Sequence, residues 1–306
     1  SLDDKRYYMV LTDLQASGYI LNNTRLNSDT GSNYAWRRSL NGASDSTSAS
    51  QTFISQSDTG AQEADFSVEY ITNLSSKEKL TIAHVNENPS TGAGTAPTKI
   101  ETVGKWANTS DAVSTITKHN SHSGDYTTGS ECVVLGYDPD DTHTTNFWEQ
   151  LADVTLGSDA SEISSGTITA KKYLWVQVYF QNASNSDDVL VRFNNDTGSN
   201  YAHRHAINYG SDTTATAQSS IKLIDRNAAA DVGRFVNFFA INHSAKEKLL
   251  IAHGIEEETS GAGNPPTSNE CVGKWANTSA QITEIDCFTA SGNIRSGARL
   301  RVWGSN

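Results

Sequence analysis

The pattern of apolar and polar positions along the chain predicts many short β-strands. Apolar, β-branched and aromatic residues come in short runs, and clusters of Ser, Thr, Asn, Asp and Gly separate these runs. No long window has the period of an amphipathic helix. The strands predicted in the first half of the chain span residues 7–14, 19–26, 33–38, 51–55, 65–73, 79–85, 100–107 and 131–137. Those predicted in the second half span residues 174–180, 189–194, 217–224, 235–242, 249–253 and 299–303.

The last predicted strand indicates which of its side chains face a core. Its arginines alternate with Leu300 and Val302, so we expect these two apolar side chains to point inward. Cys132 and Val134 hold the matching positions in the first half of the chain. The sequence therefore predicts that Cys132 is a small buried apolar residue and not a reactive thiol.

Several motifs occur twice and in the same order. The sequence Asp-Thr-Gly-Ser-Asn-Tyr-Ala of residues 29–35 returns unchanged at 196–202, and Val-Gly-Lys-Trp-Ala-Asn-Thr-Ser of 103–110 returns at 272–279. Three shorter motifs, Lys-Glu-Lys-Leu, Ile-Ala-His and Gly-Ala-Gly, also recur. A repeat of about 150 to 170 residues is far longer than a solenoid unit, so each copy is expected to be a domain with its own core. We predict an all-β protein of two tandem duplicated antiparallel β-sandwich domains, jelly-roll-like, over residues 1–140 and 141–306.

The two copies differ at their starts. Residues 147–163 lead into the second copy and have no counterpart in the first, because Ser1 aligns near Thr167. If this lead-in is a strand, the first domain lacks it and is expected to have an unpaired edge beside residues 7–14. A neighbouring subunit could donate the strand. Alternatively, the first domain tolerates the loss, or an upstream segment supplies it.

Charge and composition exclude several classes of partner. The formal net charge is −12, the pI is about 5.0, and Lys and Arg form no basic cluster. Such a chain is not expected to bind nucleic acid or an anionic membrane surface. No apolar run approaches the roughly 20 residues of a membrane-spanning helix. The three cysteines have neither disulfide-scaffold nor zinc spacing, and the sequence predicts no cofactor and no metal.

The repeated Asp-Thr-Gly-Ser-Asn-Tyr-Ala motif has two interpretations. In the structural one it is a hairpin turn, in which the Asp caps the backbone, the Gly permits the turn and the Tyr packs its ring. In the functional one, polar and aromatic side chains form a site for sugar hydroxyls. The candidate ligand-binding residues are Asp29, Asn33, Tyr34, Trp36 and Arg37, with Asp196, Asn200, Tyr201, His203 and Arg204 in the second copy.

No set of residues typical of an enzyme recurs in both copies. The aspartic-protease signature contains Asp-Thr-Gly, but the polar residues around this motif argue against that class. Trp36 is replaced by His203 in the second copy, a change that a shared catalytic site would not usually tolerate. His203 and His205 lie on one face of a strand, but two ligands are too few for a metal site. The sequence therefore predicts a protein that is not an enzyme.

Residues 195–204, together with the Leu-Gly-Tyr-Asp-Pro-Asp-Asp segment of 135–141, resemble repeat units of virion proteins from tailed viruses of bacteria and archaea. The resemblance implies a β-rich structural component on the virion surface or in another extracellular assembly, such as a capsid decoration protein or tail fibre. It implies contacts with copies of the chain and with other assembly proteins, and it implies no catalytic residue. The alternative prediction is a tandem carbohydrate-binding module, or lectin, for host-surface glycans.

Overall fold

The chain is an all-β protein whose strands fall into two units. The computed structural model describes residues 1–57, 63–139, 141–142, 146–182, 187–225, 231–259 and 261–306. The first unit contains Ser1–Ser90 and Thr98–Thr144, and the second contains Thr91–Pro97 and Thr145–Asn306. Asp140, the last residue of the predicted first domain, lies outside the described residues. Within the described part of the chain, no helix is long and apolar enough to cross a membrane.

Every predicted strand overlaps a strand of the structure, but the strands at Ile116–Asn120, Asp125–Tyr126, Tyr201–Ile207, Thr267–Trp275 and Ile285–Thr289 were not predicted. Those of the first unit are β1 (Tyr7–Ser17), β2 (Asn22–Leu26), β3 (Tyr34–Leu40), β4 (Ser46–Gln51), β5 (Ile54–Ser55), β6 (Ala64–Thr72), β7 (Lys79–Asn88), β8 (Thr98–Trp106), β9 (Ile116–Asn120), β10 (Asp125–Tyr126) and β11 (Glu131–Tyr137). Those of the second unit are β12 (Glu149–Thr155), β13 (Glu162–Ser164), β14 (Tyr173–Gln181), β15 (Val189–Phe193), β16 (Tyr201–Ile207), β17 (Thr213–Gln218), β18 (Ile221–Ile224), β19 (Gly233–Ile241), β20 (Lys248–Glu256), β21 (Thr267–Trp275), β22 (Ile285–Thr289) and β23 (Arg299–Ser305).

Each unit is an antiparallel sandwich of a large and a small sheet. The large sheet of the first unit has the order β10-β1-β6-β7-β8-β3-β4, with β11 also paired to β1, and the small sheet is β5-β2-β9. The second unit has the orders β12-β23-β14-β19-β20-β21-β16-β17 and β13-β22-β15-β18. The predicted sandwich fold is confirmed, and the same run of paired strands occurs in both units.

The polar edge strands were missed by the sequence pattern. β4 and its counterpart β17 are made almost entirely of Ser, Thr, Ala and Gln, and most of their residues are exposed. The strand predicted at 51–55 is instead the end of β4 followed by the short β5. A strand that buries neither face needs no apolar alternation, so periodicity cannot detect it.

The predicted lead-in is present as β12 and β13, and it changes the burial of the strand beside it. β12 pairs with β23, whose Leu300 and Val302 are 0% exposed. The matching strand of the first unit is β11, and no described strand of that unit pairs with its other side. The unpaired edge is therefore β11 and not the strand at 7–14, because β1 pairs with both β6 and β11.

The prediction that Cys132 is buried was wrong. Its Sγ atom has no disulfide partner, and the residue is exposed on β11. The physical reason is the strand next to it. In the second unit, side chains of the lead-in such as Leu151 and Val154 pack against the core that contains Leu300, the counterpart of Cys132.

We predict that Leu300→Ala lowers the free energy of unfolding by about 2–5 kcal/mol, because it leaves a cavity in a closed core. Cys132→Ala, at the matching but exposed position, is expected to change it by less than about 0.5 kcal/mol. Urea denaturation followed by tryptophan fluorescence measures both. Equal losses in the two variants would show that β11 is covered in solution.

Candidate functional site

The repeated turn is held together by hydrogen bonds inside each unit. The Asp29 carboxylate accepts from the backbone N–H of Gly31 at 2.7 Å and from Asn33 Nδ2 at 2.8 Å. The Asp196 carboxylate does the same with Gly198 at 2.9 Å and Asn200 at 2.8 Å. An Asp carboxylate that accepts hydrogen bonds from groups of its own turn is typical of an Asx turn.

A buried tryptophan completes each turn and joins two of the repeated motifs. Trp106 Nε1 donates to Asp29 Oδ2 at 2.7 Å, and Trp275 Nε1 donates to Asp196 Oδ2 at 2.7 Å. Burial alone would raise the pKa of each aspartate, but the hydrogen bonds from the indole, the Asn and the Gly outweigh burial and lower the pKa. Hydrogen-bond donors of the same unit therefore occupy both carboxylates.

The lysine of the repeated Lys-Glu-Lys-Leu motif packs over the same tryptophan. Lys79 Nζ lies 5.3 Å from the centre of the Trp106 ring, and Lys248 Nζ lies 5.4 Å from that of Trp275. Each ammonium also donates to a backbone carbonyl after its tryptophan, that of Asn108 at 2.9 Å or of Asn277 at 2.7 Å. Burial lowers the pKa of Lys248 to about 8.

The glycine before each tryptophan makes room for the small sheet. A Cβ atom on Gly104 would lie 2.7 Å from Ile54 Cγ2, and one on Gly273 would lie 2.8 Å from Ile221 Cδ1. These isoleucines belong to β5 and β18, which pack onto the large sheets at these points. Packing therefore requires a glycine at this position of the repeated Val-Gly-Lys-Trp motif in both units.

The tyrosines predicted to bind ligand are core residues. Tyr34 is 1% exposed, and its hydroxyl donates to the Leu26 carbonyl and accepts from the Leu26 N–H, both at 3.1 Å. Burial raises the pKa of Tyr34 to about 12. Tyr201 makes the same pair of hydrogen bonds to the backbone of Phe193 at 3.0 and 3.2 Å.

The remaining predicted residues do not converge with the turn. Trp36 packs at the margin of the core beneath the Arg38 guanidinium, which lies 5.0 Å from its ring. Arg37 points to the opposite side of β3, where it pairs with Asp45 at 3.0 Å. The candidate set of the first copy is thus divided among a turn, the core and the outer side of the large sheet.

The second copy is divided in the same way. His203 is 3% exposed, and burial lowers its pKa to about 3. His205 lies 5.6 Å away, ring centre to ring centre, and its Nε2 is 2.9 Å from Asp225 Oδ2. Arg204 Nε donates to the Pro97 carbonyl at 2.9 Å. A ligand-binding role for these residues stays a prediction.

The structure shows a different candidate, the side of the large sheet that faces away from the small sheet. Apolar side chains alternate there with buried neighbours: Tyr70 is 39% exposed, Leu80 54%, Ile82 50% and Val103 48%. They line a pocket of about 600 Å³ that is also bordered by Tyr7, Tyr137 and Arg37. We call this surface the outer face of the first unit. Apolar residues occur at both odd and even positions of β7, so they lie on both of its faces. Such a pattern predicts a strand that is covered on both sides.

The matching surface of the second unit is buried. Its equivalents of Tyr70, Leu80, Ile82 and Val103 are Phe239, Leu249, Ile251 and Val272, with exposures of 8%, 1%, 3% and 1%. Trp148 of the lead-in lies 6.1 Å from the Phe239 ring and 5.8 Å from that of Trp175. Equivalent apolar positions are thus covered in one unit and open in the other.

The interior of the first unit also contains charge that sequence periodicity did not reveal. Asp65 and Glu87 lie opposite each other on β6 and β7 and are 0% exposed. Burial first, and Glu87 second, raise the pKa of Asp65 well above its usual range. In the second unit the same positions hold Arg234 and Glu256, an ion pair at 2.6 Å. Because Asp65 is closed off from solvent, a substrate cannot reach it.

Comparisons with known proteins assign the chain to no family. No protein-family model and no curated protein matches the sequence. Among solved structures, domains LG4-5 of the mouse laminin alpha1 chain align with 99% of this chain and 84% of their own, at 12% identity and a TM-score of 0.18.

We predict that Asp196→Ala lowers the free energy of unfolding by about 1–3 kcal/mol, because it leaves buried donors without an acceptor. Asp45→Ala removes an exposed carboxylate and is the matched control, with less than about 0.5 kcal/mol expected. Urea denaturation at neutral pH measures both. Because the folded pKa of Asp196 is lowered, its contribution is present above the unfolded pKa of about 3.9 and is lost as pH falls through the folded pKa.

For Asp65 the pH dependence of stability has the opposite sign. Its raised folded pKa means that the folded state holds the proton more tightly, so stability is lost as pH rises through that pKa. We therefore expect Asp65→Asn to raise the melting temperature at about pH 7 and to give no gain at about pH 3. A gain of the same size at both pH values, in calorimetry of the two proteins, would contradict this assignment.

Proposed function

We propose that this chain is a non-enzymatic structural subunit of a virion or another extracellular assembly, and that it acts through contacts between β-sandwiches. The observation that carries the proposal is the outer face of the first unit. Ile82, Leu80 and Val103 are each about half exposed on it, whereas their equivalents in the second unit are buried. Contiguous apolar surface of this kind on a soluble protein marks an interaction site.

The rest of the molecule supports a role in assembly. The repeated motifs form turns and packing contacts, since their aspartates, tyrosines and tryptophans bond to each other or to the backbone. The resemblance of residues 195–204 to virion repeat units supports a place on a virion surface, as a decoration or fibre component. The proposed partners are other copies of the chain and other proteins of the assembly.

A second candidate function is glycan binding at the same surface. Tyr7 and Tyr137 stack with ring centres 5.3 Å apart and border the pocket together with Arg37. Aromatic faces and an arginine suit a sugar ring with its hydroxyls. A glycan array with wild-type protein and Tyr137→Ala tests this function: saturable binding that the substitution abolishes would support a lectin.

We predict that the full chain associates as its concentration rises and that Ile82→Glu weakens this association at least about tenfold, because an apolar contact is replaced by a charge. Sedimentation velocity over a concentration series measures it. Tyr179→Glu, at a position of the second unit that is 46% exposed, is the matched control and is expected to associate like the wild type. A wild-type chain that stays monomeric up to about 1 mM, the dissociation constant of a contact worth about 4 kcal/mol, would contradict the proposal.

A further inference from the structure

The second unit contains a short segment that covers part of its sheet. Residues Thr91–Pro97 belong to this unit although they lie between β7 and β8 in the chain. The Ala93 carbonyl accepts from Ala217 N at 2.8 Å, and the Pro97 carbonyl accepts from Arg204 Nε at 2.9 Å. The backbone N–H of Gly92 donates to Glu247 Oε1. The segment is thus fixed by contacts to β16, β17 and the turn before β20.

The chain carries a second copy of this segment. Residues 92–97 read Gly-Ala-Gly-Thr-Ala-Pro, and residues 261–266 read Gly-Ala-Gly-Asn-Pro-Pro, between the equivalent strands β20 and β21. Ala96 and Pro97 are buried, whereas all of residues 261–266 are exposed. Residues 261–266 therefore repeat the sequence pattern of the segment, but they are not buried against a sheet.

The first unit has the matching surface without a segment on it. Arg37 and Glu78 occupy the positions of Arg204 and Glu247, and their side chains are 59% and 41% exposed. Ser50 occupies the position of Ala217, and both have left-handed backbone angles, φ of 53° and 51°. Each group that the segment contacts in the second unit therefore has a counterpart in the first unit.

The ion pairs that these groups already make are compatible with docking. Glu78 pairs with Lys105 at 2.9 Å. In the second unit, Glu247 lies 3.6 Å from Lys274 and accepts from Gly92 at the same time. The carboxylate can thus serve both donors. Burial of Lys274, which is 0% exposed, shows that the outer side of such a sheet can be closed completely.

We propose that residues 261–266 of one copy dock on the outer face of the first unit of a second copy. Gly261 N–H would donate to Glu78, Ser50 N–H to the Ala262 carbonyl, and Arg37 to the Pro266 carbonyl. This inference rests on the proposed function and names the partner of its site as another copy of the chain. The contact is heterologous, because it joins different surfaces of the two copies, so it generates a ring or an open filament and not a closed symmetric dimer.

Two variants test the two sides of this contact. Ala262→Glu places a charge and bulk in the loop, next to the expected position of Glu78, and Ile82→Glu alters the outer face. Asn264→Glu is the matched control in the same loop, since its counterpart Thr95 remains exposed in the docked segment. Residues 261–266 are exposed, so none of these loop changes disturbs a core.

Sedimentation velocity of the whole chain and of its variants gives the readout. We expect Ala262→Glu and Ile82→Glu each to weaken association at least about tenfold, and Asn264→Glu to behave like the wild type. A mixture of Ala262→Glu with Ile82→Glu has one intact loop and one intact outer face. It is expected to form a one-to-one dimer and nothing larger.

The outcomes separate the inference from the function on which it rests. Association that is lost in Ile82→Glu but unchanged in Ala262→Glu would overturn the loop assignment and leave the proposed function in place. The same holds if the mixed variants remain monomers while the wild type assembles. A wild-type chain that does not associate at all would overturn both.

Discussion

The hydrogen bond from a buried indole to the aspartate of a turn is the interaction on which each unit depends. Trp106 and Trp275 are each 1% exposed, and each holds its aspartate at 2.7 Å. The indole also lies beneath a lysine ammonium whose remaining donors bind backbone carbonyls. Three of the repeated motifs thus meet at one side chain. A polar group buried in this way is costly unless every partner is present, so each unit needs all three motifs.

Much of the fold could be predicted because the strands and repeats have local causes. Turns need Asp and Gly, inward positions need apolar side chains, and both requirements can be read from neighbouring residues. The polar edge strands β4 and β17 could not be found in this way, because their pairing is supplied by β3 and β16 and not by an apolar face.

Burial at equivalent positions could not be predicted, because it depends on what lies beside a strand. Cys132 and Leu300 occupy the same position, yet only Leu300 is closed over, by a lead-in that the described first unit does not have. The same limit applies to the candidate site. Asp29, Asn33, Tyr34 and Arg37 are close in sequence, but strand alternation sends Tyr34 and Arg37 to opposite sides of one sheet.

The two units therefore share the hydrogen bonds of the repeated motifs but differ in which of their surfaces are buried. Both units enclose charged groups: Asp65, Glu69 and Lys118 in the first and the Arg234–Glu256 pair in the second. Buried charge contributes little net stability, since desolvation offsets the attraction between the groups. The difference lies in the outer face, whose apolar side chains are exposed in the first unit and buried in the second. The exposed apolar surface therefore lies on the first unit.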